Sequence, residues 1–396
     1  MFNKMTIEDI DVSKKKVLVR VDYNVPLDDR LNVTDDTRIR LSLPTVDYLV
    51  KKDAKVILMS HLGRPKGKIE PKLRLDPVAR RFEDLTGKKV KKFDQIYSRE
   101  IKDYIDKEMN FGDVVMLENL RFDPGEKENN DKLAKSLASL ADVYVNDAFG
   151  AAHRAHASVV GVTKYLPSVA GLLMKKENEV LSSLLESPER PFLAILGGSK
   201  VSSKIPVIRN LLGKVDSLIL GGGMTYTFLR AQNYEVGKSI CEDGQVEFAK
   251  DMLEIAKKNN VNLLLPIDVV VAKEFDNDTE KKMVSIESIP VDWMGLDIGE
   301  KSIELFTKEI SSARTIFWNG PVGVFEWENF SNGTRNIANA VAESYAVTVA
   351  GGGDTITALN KYKLYSKISH VSSGGGAAME FLEGKELPGV VSLMDK

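Results

Sequence analysis

The chain has 396 residues, of which 43% are hydrophobic and 28% charged, with a formal net charge of −2. This composition excludes a disordered, collagen-like or disulfide-stapled chain, and single cores stop growing beyond ~250–300 residues, so two domains are expected. Its one cysteine, Cys241, cannot close an intramolecular disulfide, and no uncharged apolar run approaches the ~20 residues of a membrane span. The N-terminal segment has no signal-peptide character. We therefore expect a soluble, cytoplasmic protein.

Nine short apolar runs predict strands that alternate with helices. Near-continuous apolar character is typical of strands buried on both faces of a parallel sheet. The runs are Val17–Val21, Val56–Met59, Val114–Leu117, Val143–Val145, Phe192–Leu196, Ser217–Leu220, Leu263–Leu265, Thr315–Trp318 and Val347–Ala350. Apolar residues at helical spacing predict helices at Leu133–Leu140 and Gln245–Lys257. The pattern favours the α/β class, with two doubly wound, Rossmann-like parallel-sheet domains.

A charged amphipathic segment, Met174–Leu185, predicts a helix between the two domains, since the helix breaker Ser187-Pro188 follows it. We expect residues 1–173 to form the first domain, 174–185 the interdomain helix and 186–376 the second domain. Split at Leu185, the first part carries 33 basic and 29 acidic side chains, a net charge of +4, and the second carries 22 and 28, a net charge of −6. This asymmetry is consistent with an anion site in the first part and equally with solvated lysines. Nucleic-acid binding would require a much more basic domain.

Polar and charged side chains follow four of the first-half strands, with arginine or histidine after three of them. In open α/β sheets, ligands bind outside the carboxyl ends of the strands. A guanidinium group offers a planar fork of donors that fits a phosphate or carboxylate, so several together predict a site for a small ligand bearing both groups. The residues are Asp22 and Asn24, then His61, Leu62, Gly63 and Arg64, then Arg121 and Arg154, with Arg38 at the start of a predicted helix. Taken singly, each arginine could make only a surface salt bridge, and Asp22 with Asn24 could serve only the turn before Pro26.

Glycine-rich turns follow three of the second-half strands. Glycines let backbone N–H groups approach phosphate oxygens, and a following helix N-terminus adds a positive field. The turns are Gly197–Lys204, Gly221–Met224 and Gly351–Thr355. Three such turns in one domain favour polyphosphate binding. Asp354 is the natural Mg²⁺ ligand, although a plain N-cap is the alternative, and Trp318–Glu326 offers an apolar wall and a carboxylate suited to a nucleoside ribose.

Two familiar nucleotide-binding motifs are missing. Gly237-Lys238-Ser239 imitates the end of a P-loop, but Gln232 stands where the leading glycine is required. The Gly221-x-Gly223 and Gly351-x-Gly353 pairs both lack the third glycine of the dinucleotide fingerprint. Neither a P-loop NTPase nor a standard NAD-binding domain fits this sequence.

Ordered motifs along the whole chain resemble the phosphoglycerate kinase family. They are VLVRVDYNVP (17–26), DDTRIR (35–40), SHLGRP (60–65), ENLRF (118–122), NDAFGAAHRAHAS (146–158), LGGSKVSSKI (196–205), LGGGM (220–224), WNGPVGVFE (318–326), GGGDT (351–355) and SSGGGAAMEFLEGKELPG (372–389). The resemblance implies the glycolytic, reversible transfer of a phosphoryl group from 1,3-bisphosphoglycerate to MgADP, giving 3-phosphoglycerate and MgATP. It also implies direct in-line transfer, hinge-bending domain closure, a monomer, and a C-terminal tail, 377–396, that packs on the first domain.

The family's site residues carry over onto the matching motifs. The resemblance implies phosphoglycerate binding by Asp22, Asn24, Arg38, His61, Leu62, Gly63, Arg64, Arg121 and Arg154. It implies nucleotide binding by Gly198, Lys200, Lys204, Gly221, Gly222, Gly295, Asn319, Glu326, Gly352, Gly353, Asp354 and Thr355, with Mg²⁺ held by Asp354 and the nucleotide phosphates. Arg38, Lys200 and Gly353 would act in catalysis. Two rival functions are another carboxylate kinase or acyl-phosphate-forming ligase, and a non-catalytic anion-binding protein; no nucleic-acid or membrane partner is expected.

Overall fold

The computed structural model describes residues 2–396, which divide into two compact units. The first unit contains the described residues up to Val180 together with Glu386–Lys396, and the second is Leu181–Lys385. The first crossing between the units lies inside one helix, Leu172–Glu186. Residues 377–385 group with the second unit, where the Asn210 side chain donates a hydrogen bond to Leu382 O.

The first unit is built on a parallel sheet of six strands. The strands are β1 (Lys16–Arg20), β2 (Lys55–Met59), β3 (Val90–Lys92), β4 (Val114–Met116), β5 (Val143–Asn146) and β6 (Ser168–Ala170). Their order across the sheet is β3-β4-β2-β1-β5-β6. Leu18 in β1 lies opposite Ile57 on one side and Tyr144 on the other, and all three are fully buried. The apolar strands therefore form the middle of a three-layer core.

Helices cover both faces of this sheet, as parallel strand connections require. They are α1 (Thr37–Lys51), α2 (Asp76–Thr86), α3 (Arg99–Lys107), α4 (Asp131–Ala138) and the first part of α5 (Leu172–Glu186), which continues into the second unit. Local sequence fixes several ends: the Ser98 side chain accepts from Ile101 N at 3.2 Å to cap α3, and Asn130 accepts from Lys132 N at 3.0 Å to cap α4. Gly87, at φ +66°, ends α2 in the left-handed region.

The second unit contains nine strands. They are β7 (Phe192–Leu196), β8 (Ser217–Leu220), β9 (Asn262–Leu264), β10 (Asp268–Ala272), β11 (Lys281–Ser285), β12 (Met294–Ile298), β13 (Thr315–Asn319), β14 (Val347–Ala350) and β15 (His370–Val371). Six form a parallel sheet in the order β15-β14-β13-β7-β8-β9, and β11-β10-β12 form a separate antiparallel sheet. The central strands β13 and β7 are buried at every residue.

Seven helices of the second unit and one short tail helix complete the fold. They are α6 (Ile205–Leu211), α7 (Thr225–Ala231), α8 (Val246–Lys258), α9 (Glu300–Ser312), α10 (Asn332–Glu343), α11 (Gly353–Lys361), α12 (Gly375–Leu382) and, in the tail, α13 (Pro388–Val391). In the first turn of the tail helix, Gly389 N donates a hydrogen bond to Ala152 O of the first unit at 2.8 Å. Among the helices of residues 2–396, none has the length and apolar character needed to cross a bilayer.

The predicted α/β class with two doubly wound parallel sheets is confirmed. All nine apolar runs are strands of these sheets, and the helices predicted at Leu133–Leu140, Gln245–Lys257 and Met174–Leu185 are observed at Asp131–Ala138, Val246–Lys258 and Leu172–Glu186. The sequence reading missed β3, β6, β15 and the whole antiparallel sheet. Strand β3 (VKK) carries two lysines on a sheet edge, and β11 (KKMVS) is almost fully exposed, so neither has the apolar signature of a buried strand.

Candidate active site

Six predicted substrate residues lie together at the carboxyl edge of the first sheet, and we call them the basic basin. They are Asp22 and Asn24 after β1, His61 and Arg64 after β2, Arg121 after β4, and Arg38 in the first turn of α1. The Arg38 Nη1 group donates to Asp22 Oδ2 at 3.0 Å and to Asn24 O at 3.1 Å, with the guanidinium one third exposed. Asp22 and Asn24 therefore orient Arg38. The Arg38 fork retains free donors toward solvent.

Arg121 is the most desolvated of the predicted arginines. Its Nη1 donates to Gly63 O at 2.7 Å, while its Nε is buried with no hydrogen-bond partner in residues 2–396. Burial, with the nearby charges of Arg20 and Arg64, lowers its pKa. Gly63 has φ +61° and its N–H donates to Asn24 Oδ1 at 2.8 Å, so the loop after β2 is held against the loop after β1. A buried cationic donor without a partner is suited to pair with an anion.

The remaining predicted substrate residues divide by exposure. Arg64 is exposed, and its charge reaches Arg121. Leu62 is buried, and its N–H donates to Asn119 Oδ1 at 3.2 Å, which fixes the loop rather than contacting solvent. Arg154 lies on the loop after β5, and its side chain is exposed. Arg38 and Arg121 are therefore held by hydrogen bonds to neighbouring loops, whereas Arg64 and Arg154 are exposed.

Sequence reasoning missed Arg20, the last residue of β1, which is only 1% exposed. Its Nε donates to Ser158 Oγ at 2.9 Å, its Nη1 to Val21 O, and its Nη2 lies 3.1 Å from His61 Nδ1. Ser158 in turn donates to the buried Glu126 Oε1 at 2.7 Å. A signal was present: an arginine within the apolar run VLVRV can be buried only with partners for its charge.

The second unit holds a cavity of about 610 Å³ at the carboxyl ends of its strands, and we call it the glycine cavity. Five predicted nucleotide residues line it, namely Gly198, Gly222, Gly295, Glu326 and Asp354. Apolar side chains provide much of the remaining wall, among them Val269, Met294, Leu296, Val322 and Val324. A volume of this size with an apolar wall and a few polar groups is typical of a small-molecule site.

Close approaches explain why glycine occupies two positions here. A β-carbon on Gly295 would lie 1.7 Å from the Tyr226 hydroxyl oxygen. Gly352 has φ +95°, and a β-carbon there would lie 2.7 Å from Asn319 Nδ2. Larger residues at either position would displace the cavity wall or strain the turn before α11.

The other predicted nucleotide residues form a hydrogen-bonded group beside the cavity. Lys204 Nζ donates to Asn319 Oδ1, and Asn319 Nδ2 donates to Gly351 O at 2.8 Å. The Thr355 hydroxyl accepts from Gly320 N at 2.7 Å, which ties the start of α11 to the loop after β13. Gly221 N donates to Leu196 O at 2.9 Å, while Lys200 and Gly353 are exposed.

Lys204 and Lys200 have different environments although they share one loop. Burial lowers the pKa of Lys204 to about 8, and the charge of Asp354 only partly opposes this effect. Lys200 is exposed. A partly buried ammonium group that is disfavoured in the free protein gains most from a neighbouring polyphosphate.

The residues present fit a magnesium ion brought in with a nucleotide. Asp354 is an exposed carboxylate in the first turn of α11, beside Lys204 and the glycine cavity. No cluster of three or more histidine, cysteine or acidic side chains suited to a metal occurs within residues 2–396. One carboxylate without a protein cage is the usual donor set when substrate phosphates and water complete the shell of Mg²⁺.

Sequence reasoning also missed Asp297, a buried carboxyl in the cavity floor. Burial raises the pKa of Asp297 to about 7. The backbone N–H groups of Gly333 and Ile298 donate to its carboxylate at 2.8 and 2.9 Å and act in the opposite direction. Through Gly333 it holds the start of α10. The antiparallel sheet that carries Asp297 was not predicted, and of its residues only Gly295 was named, from the family resemblance.

A family model described as phosphoglycerate kinase matches residues 7–385. The chain belongs to the phosphoglycerate kinase family. Two solved structures support this assignment. Phosphoglycerate kinase from Coxiella burnetii is 42% identical with a TM-score of 0.88, and phosphoglycerate kinase from Pyrococcus horikoshii OT3 is 33% identical with a TM-score of 0.84; both alignments cover 98% of each chain. Membership of the phosphoglycerate kinase family makes the chain a kinase. The resemblance predicted from the sequence motifs is confirmed over nearly the full length of the chain.

Proposed function

We propose that this protein catalyses the reversible transfer of a phosphoryl group from 1,3-bisphosphoglycerate to MgADP, giving 3-phosphoglycerate and MgATP. The match of one kinase family model to residues 7–385, spanning both the basic basin and the glycine cavity, carries the proposal. The proposal includes a monomeric cytoplasmic enzyme of glycolysis. The acceptor in the reverse direction is a carboxylate, which makes the protein a carboxyl-directed phosphotransferase.

In this proposal the basic basin holds the phosphoglycerate. Arg121 supports the assignment because its buried Nε has no partner in residues 2–396 and would gain one from a phosphate or carboxylate oxygen. Arg38, held by Asp22, presents its remaining N–H groups to the carboxyl end of the ligand. Arg64 and Arg154 add exposed positive charge, and Asp22 with Asn24 accepts from the substrate hydroxyl. His61, Leu62 and Gly63 complete the set.

The glycine cavity holds the nucleotide in the same proposal. The apolar wall and Gly295 take the base, Glu326 takes the ribose, and the glycine turns with Lys200, Lys204 and Asn319 take the phosphates. The other phosphate-side residues are Gly198, Gly221, Gly222, Gly352, Gly353 and Thr355. Asp354 would hold a nucleotide-bound Mg²⁺, which neutralises phosphate charge when it is present.

Phosphoryl transfer asks for alignment and charge stabilisation rather than covalent chemistry from the protein. A carboxylate oxygen of 3-phosphoglycerate attacks the γ-phosphorus, and the bond to the β–γ bridging oxygen breaks, with no proton moved. Arg38, Lys200 and the Gly353 N–H would stabilise the charge on the transferring group. The two ligand sets belong to different units, so we propose hinge closure around the 174–185 helix and the 372–376 segment, which would also exclude water.

A coupled assay tests the proposed function directly. Purified protein with 3-phosphoglycerate and MgATP should release ADP, and excess chelator should abolish the release. Acetate in place of 3-phosphoglycerate should give no ADP, which separates this function from a general carboxylate kinase. Calorimetry that detects phosphoglycerate binding without MgATP binding would instead favour a non-catalytic anion-binding protein and refute the proposal.

A further inference from the structure

A buried arginine–histidine contact lies beneath the basic basin. Arg20 and His61 are 1% and 5% exposed, and Arg20 Nη2 lies 3.1 Å from His61 Nδ1. A guanidinium group has only N–H donors and stays protonated in proteins. His61 Nδ1 must therefore be the acceptor in this contact, with its lone pair directed at Arg20.

This acceptor role determines where the histidine proton lies. A neutral imidazole carries one N–H, so an unprotonated Nδ1 places that proton on Nε2. An imidazolium would instead direct a second donor at Arg20. Burial, followed by the charges of Arg20 and Arg121, holds the pKa of His61 well below its usual value, which keeps the ring neutral.

Other charged groups around the ring do not reverse this assignment. Asp22 Oδ1 lies 3.9 Å from Nδ1, beyond hydrogen-bond distance, so it does not compete with Arg20 for a proton on that nitrogen. Arg38 adds further positive charge, while the negative charge of Glu126 acts in the opposite direction. The ring is thus enclosed mostly by positive groups, which favour the neutral form.

Arg20 cannot rotate away from His61 without breaking two other hydrogen bonds. Its Nε donates to Ser158 Oγ at 2.9 Å, and its Nη1 donates to Val21 O. Ser158 is itself fixed, because its hydroxyl and its backbone N–H donate to the two oxygens of Glu126 at 2.7 and 3.0 Å. His156 Nδ1 lies 3.5 Å from the same carboxylate. The position of Arg20 Nη2 is therefore set by the fold.

We propose that Arg20 is a positioning residue that holds neutral His61 in the Nε2–H tautomer, so that His61 donates a hydrogen bond to the anionic ligand of the basic basin. The tautomer follows from the Arg20 contact alone. The identity of the ligand, a phosphoglycerate, rests on the proposed function. His61 would then supply a directed donor without adding charge, while the arginines supply the charge.

Nuclear magnetic resonance of the full-length protein labelled with ¹⁵N-histidine tests the tautomer without any ligand. The His61 signals, assigned by their loss in His61→Gln, should show a protonated Nε2 and an unprotonated Nδ1 at pH 7. The other three histidines act as internal references. In Arg20→Met the preference should be lost and the Nδ1–H form should become populated. A wild-type His61 that is doubly protonated or in the Nδ1–H form would overturn the proposal, whether or not the Arg20 variant folds.

Amide replacements of His61 test the ligand contact in the kinase assay. The glutamine amide reaches the position of Nε2, whereas the asparagine amide reaches that of Nδ1. His61→Gln should keep the KM for 3-phosphoglycerate within about threefold, and His61→Asn should raise it at least about tenfold, as expected for a lost hydrogen bond to a charged group. The KM for MgATP should not change in either variant. Equal effects of the two replacements would refute the donor role, whereas an inactive wild type with the expected tautomer would refute only the proposed function.

Discussion

Replacing Lys204 by methionine should stabilise the second unit of the free protein while removing its kinase activity. Burial lowers the pKa of Lys204 from 10.5 to about 8, which means that folding disfavours the charged form. At 1.36 kcal/mol per pH unit, this difference corresponds to about 3 kcal/mol of lost stability at neutral pH. Methionine keeps the volume of the aliphatic stem but carries no charge, so it should recover most of this free energy.

The expected net gain is smaller than the electrostatic cost alone. Lys204 also donates a hydrogen bond to Asn319, and losing such a bond costs about 1 kcal/mol. We therefore expect Lys204→Met to raise the free energy of unfolding by about 2 kcal/mol at pH 7. Because the folded pKa lies below the unfolded one, the unfolded chain binds more protons between pH 8 and 10.5. Wild-type stability should therefore rise with pH through this window, and the advantage of the variant should disappear by its upper end.

Tryptophan fluorescence is the appropriate probe, since Trp293, Trp318 and Trp327 all belong to the second unit. Urea unfolding should be followed at pH 7 and at pH 10.5 for the wild type, Lys204→Met and the matched control Lys200→Met. The exposed Lys200 should give no gain in stability at either pH, although both variants should lose activity. A Lys204→Met protein that is less stable than the wild type at pH 7, or whose advantage does not change with pH, would refute the reasoning.

Three further substitutions test other parts of the site. Arg38→Ala should lower kcat at least about 100-fold, by analogy with the ~2.7 kcal/mol lost with one oxyanion donor, and Arg38→Lys should give an intermediate loss; unchanged turnover at saturating substrates would exclude Arg38 from the mechanism. Gly352→Ala should raise the KM for MgATP and lower the free energy of unfolding in urea by about 1–3 kcal/mol, because φ is +95° and the new β-carbon would meet Asn319. A normal KM together with a normal free energy of unfolding would contradict this. Burial raises the pKa of Asp147 to about 7, so between pH 4 and 7 the folded protein binds more protons than the unfolded chain, and its stability falls as pH rises. Asp147→Asn should flatten this fall, as measured by urea unfolding followed by circular dichroism. An unchanged slope of stability against pH would count against this explanation.

The parallel sheets were predictable because their strands are apolar at nearly every residue. Ser217–Leu220 and Phe192–Leu196 are read correctly to the residue, since both faces of these strands are covered by helices. Strand β11 could not be read in the same way. Its pairing with β10 supplies backbone hydrogen bonds, while its side chains remain in solvent and leave no apolar pattern. The glycine cavity is lined instead by β10 and β12, which are largely buried and apolar, so this part of its wall was missed although the pattern was present; only Gly295 was named, from the family resemblance.

The candidate residues were predictable by type but not by environment. Lys200 and Lys204 follow the same pair of glycines, and nothing in their spacing tells which ammonium group is buried. The fold decides this: Lys204 lies directly before α6 and reaches Asn319 at the end of β13, whereas Lys200 lies before the short 3₁₀ turn Val201–Ser203 and is exposed. Similarly, His61 was a candidate ligand, but its tautomer depends on Arg20, which lies 41 positions earlier in the chain.

The two units use different chemistry to prepare for anions. In the first unit, side chains do the work: Arg121 is buried near Arg20 and Arg64, and this repulsion is unfavourable until negative charge arrives. In the second unit, glycine turns expose backbone donors, and Lys204 carries a partly buried positive charge. A substitution in the basic basin therefore changes charge directly, whereas one in the glycine turns acts through backbone geometry. An arginine-to-lysine change in the basic basin keeps the charge but loses the planar fork of donors. A glycine-to-alanine change in the glycine turns adds a β-carbon where the backbone favours glycine. Both changes are therefore expected to be damaging, each for its own physical reason.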